Sequence, residues 1–149
     1  MTVDQDALQL MIEEAEVRRL LTRYCTAVDS HDWELYRSVF TPDAWIDYTS
    51  APHGEAGTLD ETVDWLSKNL TLLPMTMHCV MNIDTKFDGD TATVRAQFYN
   101  PLDIPGVDGT SFCGGYYNHD LVRTADGWRS KKLVEDNVWF ENNPFVQKD

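Results

Sequence analysis

The chain predicts an α+β domain: three N-terminal helices packed on one face of a curved antiparallel sheet. Three observations carry this. Up to Leu70 the apolar residues recur mostly at spacings of three and four, from Thr76 onward the chain reads as strands, and Asp88-Gly89 and Asp126-Gly127 fall where two hairpins would turn. Helices followed by antiparallel strands segregate into two layers around one core. With 149 residues and 42% hydrophobic content, residues 1–149 are expected to form a single domain, with no linker, repeat or low-complexity tract.

From about Asp4 to Val28, Leu8, Met11, Ile12, Ala15, Leu21, Tyr24, Cys25 and Val28 mark an amphipathic first helix, with Glu13, Glu14, Glu16, Arg18 and Arg19 on its wet side. Ser30 is placed to cap a short second helix carrying Trp33, Leu35, Tyr36 and Val39, which stops before Thr41-Pro42 because the residue before proline disfavours helical geometry. A strand is expected over 44–48. Thr58-Leu-Asp-Glu61 has the spacing of a capping box and opens a third helix bearing Leu59, Val63, Leu66 and Leu70. Four long strands in two hairpins then follow. The stretch 100–110, with two prolines and two glycines, reads as the loop between the hairpins, and Gly114-Gly115 as a bulge or a point of sharp curvature.

A formal charge of −13 and a pI near 4.5 repel phosphate backbones and anionic lipid, so nucleic acid and membrane surfaces are not expected as partners. Cys25, Cys79 and Cys113 are odd in number, widely spaced and flanked by apolar residues, which suits buried thiols in a reducing compartment. No N-terminal segment resembles a signal peptide and no apolar stretch approaches the ~20 residues that span a bilayer. A cytoplasmic protein is the expectation. The four histidines show no metal-ligand spacing, and adjacent His119 and Asp120 would point to opposite faces of a strand, so no metal site is expected. Phosphate-binding glycine loops and Gly-x-Ser-x-Gly are absent from the sequence.

Two polar residues far apart in sequence carry the functional reading. Asp29 ends the apolar stripe of the first helix, and His78 opens a strand after Pro74-Met-Thr-Met. Brought together in a cavity, they would form an aspartate-oriented histidine, suited to moving protons near neutral pH. Each has a structural alternative: Asp29 as a helix-end carboxylate capping Asp32 or Trp33, and His78 as a core or rim histidine satisfied by backbone. His78 shares its strand face with Thr76, Val80 and Asn82, whereas Met77, Cys79, Met81 and Ile83 are expected as core. Asn100 ends an inward row with Ala92, Val94, Ala96 and Phe98, where its amide serves either the following loop or a ligand. Tyr24 and Tyr48 read as packing aromatics or as proton donors. His31 is expected in solvent on the second helix, and His53 in a flexible loop.

The run 24–33, Tyr-Cys-Thr-Ala-Val-Asp-Ser-His-Asp-Trp, followed by Phe40-Thr-Pro-Asp43, Ile46-Asp-Tyr48, Met77-His78 and Asp126-Gly-Trp128, resembles the dehydratase branch of the nuclear transport factor 2-like superfamily, which includes scytalone dehydratase, bile acid 7α-dehydratase and SnoaL-type polyketide cyclases. The resemblance runs over most of the chain. It implies a cone-shaped α+β barrel, often homo-oligomeric as a dimer or trimer, and a cofactor-independent lyase. Carried over residue by residue, it implies that His78 is the catalytic base, Asp29 its orienting carboxylate, Tyr48 a carbonyl-polarising tyrosine and Asn118 a substrate-binding asparagine, while Tyr24 matches the tyrosine of the bile acid enzyme. Asn100 stands near the family's second histidine, Val28 at one of its tyrosines and Tyr116 at its serine; these departures argue against scytalone itself. The dyad also resembles that of hexachlorocyclohexane dehydrochlorinase, so the resemblance specifies proton abstraction and elimination better than the leaving group.

The expected activity is therefore removal of a proton next to a carbonyl and loss of water from a cyclic, polyketide- or steroid-like, largely apolar small molecule. His78, Asp29, Tyr24 and Tyr48 are the expected catalytic residues, and Asn118, Asn100, Tyr116 and Phe98 the expected substrate contacts. An isomerase or aldol cyclase would use the same dyad. A non-catalytic binding or assembly domain would instead show a cavity plugged by side chains.

Overall fold

The structure, a computed structural model, describes residues 4–145. The elements are α1 (Gln5–Ser30), α2 (Trp33–Arg37), β1 (Phe40–Asp47), β2 (Ala56–Thr58), α3 (Leu59–Asn69), β3 (Met75–Thr76), β4 (Cys79–Asp88), β5 (Thr91–Asp103), β6 (Ser111–Thr124) and β7 (Gly127–Glu141). The strands form one seven-stranded sheet in the order β2-β1-β7-β6-β5-β3, with β4 sharing the β3 edge of β5. The α+β class with helices over a curled sheet is as expected. One refinement is that β1 runs parallel to β7, which makes the sheet mixed.

The core lies between α1, α3 and the inward face of the sheet, and includes Val17, Leu20, Tyr24, Ile46, Ala96, Leu121 and Leu133. On α1 the buried stripe runs through Glu13, Val17, Leu20, Leu21, Tyr24, Ala27 and Val28, whereas Leu8, Met11 and Ile12 are exposed. The helix thus begins beyond the sheet and turns its apolar first turns outward, contrary to the expectation that these residues pack inward. Asp32 caps α2 by accepting from the Leu35 N–H, while the Ser30 hydroxyl donates back to the Thr26 carbonyl. His31 closes α1 in left-handed geometry (φ 56°), stacked on Trp33, rather than standing free on the second helix. The Thr58–Glu61 capping box forms as its spacing requires.

Two features of the sheet could not be read from local sequence. β5 runs through Pro101 to Asp103, so the loop between the hairpins shortens to 104–110. A residue's N–H and C=O point to the same side of a strand. Because the Pro101 carbonyl accepts from the Met77 N–H, the donor that proline lacks would face the Met77 carbonyl, and Asn100 Nδ2 donates to that carbonyl instead. On β4, Asn82 adopts a left-handed conformation (φ 49°) within a register shift between Met81 and Asp84. This bulge reverses the alternation. Before the bulge, Val80 packs on the core while Met77 and Met81 are exposed, so the face shared with His78 is the inward one, contrary to expectation; the bulge then brings Ile83 onto that same inward face.

Two buried polar groups lead to stability predictions. Glu13 accepts from Trp128 Nε1 (2.7 Å), Arg123 Nη2 (2.7 Å) and Gln9 Nε2 (2.9 Å), clasping α1 to the β6–β7 hairpin. Glu13→Ala leaves the buried indole N–H without an acceptor and should cost about 1–3 kcal/mol, measured by denaturant unfolding.

His119 is fully buried beside the Tyr24 ring. The Ser130 hydroxyl donates to the Lys132 carbonyl, so His119 Nδ1–H donates to Ser130 Oγ, and Nε2 is left as an unpaired acceptor. Burial pushes the imidazole down to about 3. Between pH 6.5 and about 3 the unfolded chain therefore binds a proton that the folded chain does not. Above pH 6.5 this group has no effect; as pH falls through the window it removes stability by about 1.4 kcal/mol per unit. In His119→Gln the slope of stability against pH between 6.5 and 4.5 should be shallower by that amount.

Candidate active site

Asp29 sits in the last turn of α1, which has no basic residue. The helix dipole disfavours a negative charge there, so the carboxylate needs donors. It finds both in His78. The ladder breaks between β3 and β4, which frees the backbone N–H of His78 to donate to Asp29 Oδ2 at 2.9 Å, while Nδ1 lies 2.6 Å from Oδ1. Facing an ionised carboxylate, which only accepts, a neutral imidazole would carry its proton on Nδ1 and leave Nε2 bare. Neither oxygen of Asp29 caps Asp32 or Trp33.

The His78 ring forms part of the wall of a cavity of about 250 Å³ that also includes Tyr24, Tyr48, Phe98, Asn100 and Tyr117. A second hollow of about 280 Å³, lined by Arg18, Thr22, Cys25 and Asp29, is also bounded by His78, which thus borders both. The Tyr48 hydroxyl is 2.8 Å from those of both Tyr24 and Tyr36, making a chain of three phenols. Burial holds all three well above 10, so they are neutral donors rather than bases. If Tyr36 donates to Tyr48 and Tyr48 to Tyr24, the last proton is free for a ligand oxygen, and each bond polarises the next.

Asn100 lines the cavity, but its Nδ2 group donates to Thr76 Oγ1 (2.9 Å) and to the Met77 and Pro101 carbonyls (3.1 Å each). Its amide is spent on the segment that leads into His78. Phe98 stacks on Tyr117 with ring centroids 4.4 Å apart and lines the same wall.

Asn118 and Tyr116 lie elsewhere. Tyr117 faces the cavity, so its neighbours on β6 face outward. Asn118 donates to the Val134 carbonyl, and the Arg95 guanidinium lies over the Tyr116 ring at 3.8 Å. The expectation that these two contact a ligand in this cavity is corrected by that alternation.

The structure adds residues that the sequence reading passed over. Leu133, Glu135 and Asn137 share one face of β7, and the last two line the cavity. Period-two alternation from the buried Leu133 was the signal. His53, expected in a flexible loop, stands on the cavity rim with its ring edge-on to Phe145 at 4.7 Å. Among the described residues no group of three or more His, Cys, Asp or Glu side chains is arranged to hold a metal, and no helix is long and apolar enough to cross a membrane.

Residues 9–134 match the family profile described as a SnoaL-like domain. An uncharacterized protein of Mycobacterium tuberculosis strain H37Rv is 39% identical over 124 residues, covering 83% of this chain and 84% of its own. Among solved structures, a candidate scytalone dehydratase of Novosphingobium aromaticivorans DSM 12444 superposes with a TM-score of 0.79 at 20% identity, covering 93% of this chain and 97% of its own. A type 2 hexachlorocyclohexane dehydrochlorinase superposes with a TM-score of 0.81 at 15% identity, covering 96% and 97%. At these identities the two structures speak to the fold alone.

Proposed function

The chain belongs to the SnoaL-like domain family, and from that premise we propose that it is a cofactor-independent lyase in which His78, oriented by Asp29, removes a proton next to a carbonyl. The observation that carries this reading is the 2.6 Å contact between His78 Nδ1 and Asp29 Oδ1 at the wall of an open cavity. In the proposed step the bare Nε2 takes the proton, and the two bonds to Asp29 favour the imidazolium that forms. The electron pair moves into an enolate whose oxygen accepts from the Tyr48–Tyr24 chain. The enolate then expels a β-hydroxyl, which takes up the His78 proton and departs as water.

Likeness in fold to a candidate dehydratase and to a dehydrochlorinase supports elimination as the reaction class. A cavity of about 250 Å³ suits a small cyclic substrate better than a large one. The test is a panel of cyclic β-hydroxy ketones with product masses recorded. Loss of one water supports the dehydratase. Turnover at unchanged mass would replace it with an isomerase or cyclase on the same dyad.

Replacing Tyr48 by Phe removes the middle phenol of the chain and should lower kcat by about 10–10²-fold; because the buried Tyr24 and Tyr36 hydroxyls lose their shared partner, it should also lower stability by about 1–3 kcal/mol. Steady-state rates and thermal unfolding on the two proteins check this.

A further inference from the structure

Glu135 on β7 stands opposite Tyr117 on β6 and contributes the cavity's one carboxylate among the described residues; no lysine or arginine shares that wall. It forms no ion pair there. The groups facing it are Tyr24 from α1, Tyr36 from α2, Tyr48 after β1, Cys113 and Tyr117 from β6, and Asn137 on its own strand, with His78 and His53 elsewhere on the wall. Burial keeps the tyrosines well above 10 and pushes the Cys113 thiol up to about 12, so they stay neutral near neutral pH and leave the carboxylate's charge uncompensated.

A lone carboxylate inside an apolar hollow is costly unless a cation joins it. Aromatic rings of Trp65, Phe98, Tyr117, Phe140 and Phe145 surround the same space, and such faces attract cations. The chain's net charge of −13 draws cations toward the protein as a whole.

We infer that the cavity admits a small organic ammonium, a ligand bearing a protonated amine whose N–H groups pair with Glu135 while the aromatic walls cover the rest. This rests on the proposed reading of the cavity as the ligand site, and it narrows the substrate to carbonyl compounds that carry a basic nitrogen. Burial pushes the Glu135 carboxyl up to about 7, so an ammonium would bind the ionised form and release a proton. Amine affinity should then fall about tenfold between pH 8 and pH 6, where only about a tenth of Glu135 is ionised.

The experiment is calorimetric titration of the intact chain with benzylamine and with benzyl alcohol, two probes of one shape, at pH 6 and pH 8, repeated on Glu135→Gln. The expected result is benzylamine binding about tenfold or more tighter than benzyl alcohol at pH 8, an advantage that shrinks at pH 6 and disappears in Glu135→Gln. Equal binding, preference for the alcohol, or an amine preference that survives Glu135→Gln overturns the inference. Should Glu135→Gln fail to fold, the comparison at two pH values on the parent protein decides. If neither probe binds, the ligand-site reading falls with the inference. Turnover that persists in His78→Ala would sink the lyase chemistry and leave the binding result standing.

Discussion

His78→Ala is expected to lose about 10²–10⁴-fold in kcat on any substrate the parent protein dehydrates, while unfolding at nearly the parent's temperature. The imidazole is the basic group on the cavity wall that a fixed carboxylate orients; Glu135 and His53, on the same wall, form no ion pair among the described residues that would orient them. The fold should tolerate the change because His78 lies in the break between β3 and β4, and its backbone N–H still reaches Asp29 Oδ2 after truncation. Asp29→Asn provides the companion test. An amide nitrogen facing Nδ1 would favour the tautomer with its proton on Nε2, removing the base without removing the ring. A loss of similar size with little change in KM is expected, read from initial rates across substrate concentration.

The second large effect concerns stability. In Gly115→Ala the new Cβ would lie 1.9 Å from the Asp136 carbonyl oxygen and 3.0 Å from the Asn137 Cα, both main-chain atoms that no rotamer change relieves. The residue sits at the register shift between Gly114 and Gly115. Opening the β6–β7 ladder there should cost about 3 kcal/mol, at the upper end of overpacking effects. For a chain of this size that corresponds to a fall of about 6–12 °C in Tm by scanning calorimetry. Since Glu135 and Asn137 flank the same contact, the variant should also weaken any ligand held at that wall.

Much of the fold was legible because local and long-range preferences agree. Thr58 and Glu61 cap α3, and Gly89 and Gly127 take the positive φ that their hairpin turns require. Failures occurred where tertiary geometry overrode a local rule. Pro101 looked like a loop residue, yet a strand accommodates it because the Met77 carbonyl that its missing donor would serve accepts from Asn100 Nδ2. Met77 and Met81 looked like core because they are apolar, yet the His78–Val80 face is the buried one, and the left-handed residue at Asn82 brings Ile83 onto it. The first turns of α1 have the pattern of a buried stripe, but nothing in the sequence says where the sheet ends.

The candidate site divides in the same way. Asp29 and His78 are 49 positions apart, and no local pattern forces them to meet; the family resemblance suggested the pair, and the structure puts them in contact. Tyr116 and Asn118 were aligned to substrate contacts, but alternation on β6 turns the intervening Tyr117 to the cavity instead. Glu135 went unnoticed because a charged residue on a late strand ordinarily faces solvent, and its neighbours Lys131, Lys132 and Asp136 do. Its placement depends on following the period-two pattern outward from Leu133.

The most direct test of the central claim is the tautomer of His78, read from nitrogen-15 NMR of its ring at neutral pH in the parent protein and in Asp29→Asn. The predicted result is a proton on Nδ1 and an unprotonated Nε2 in the parent, with that preference lost in the variant. A parent protein that carries its proton on Nε2, with Nδ1 bare, would contradict the assignment of His78 as a base held by Asp29.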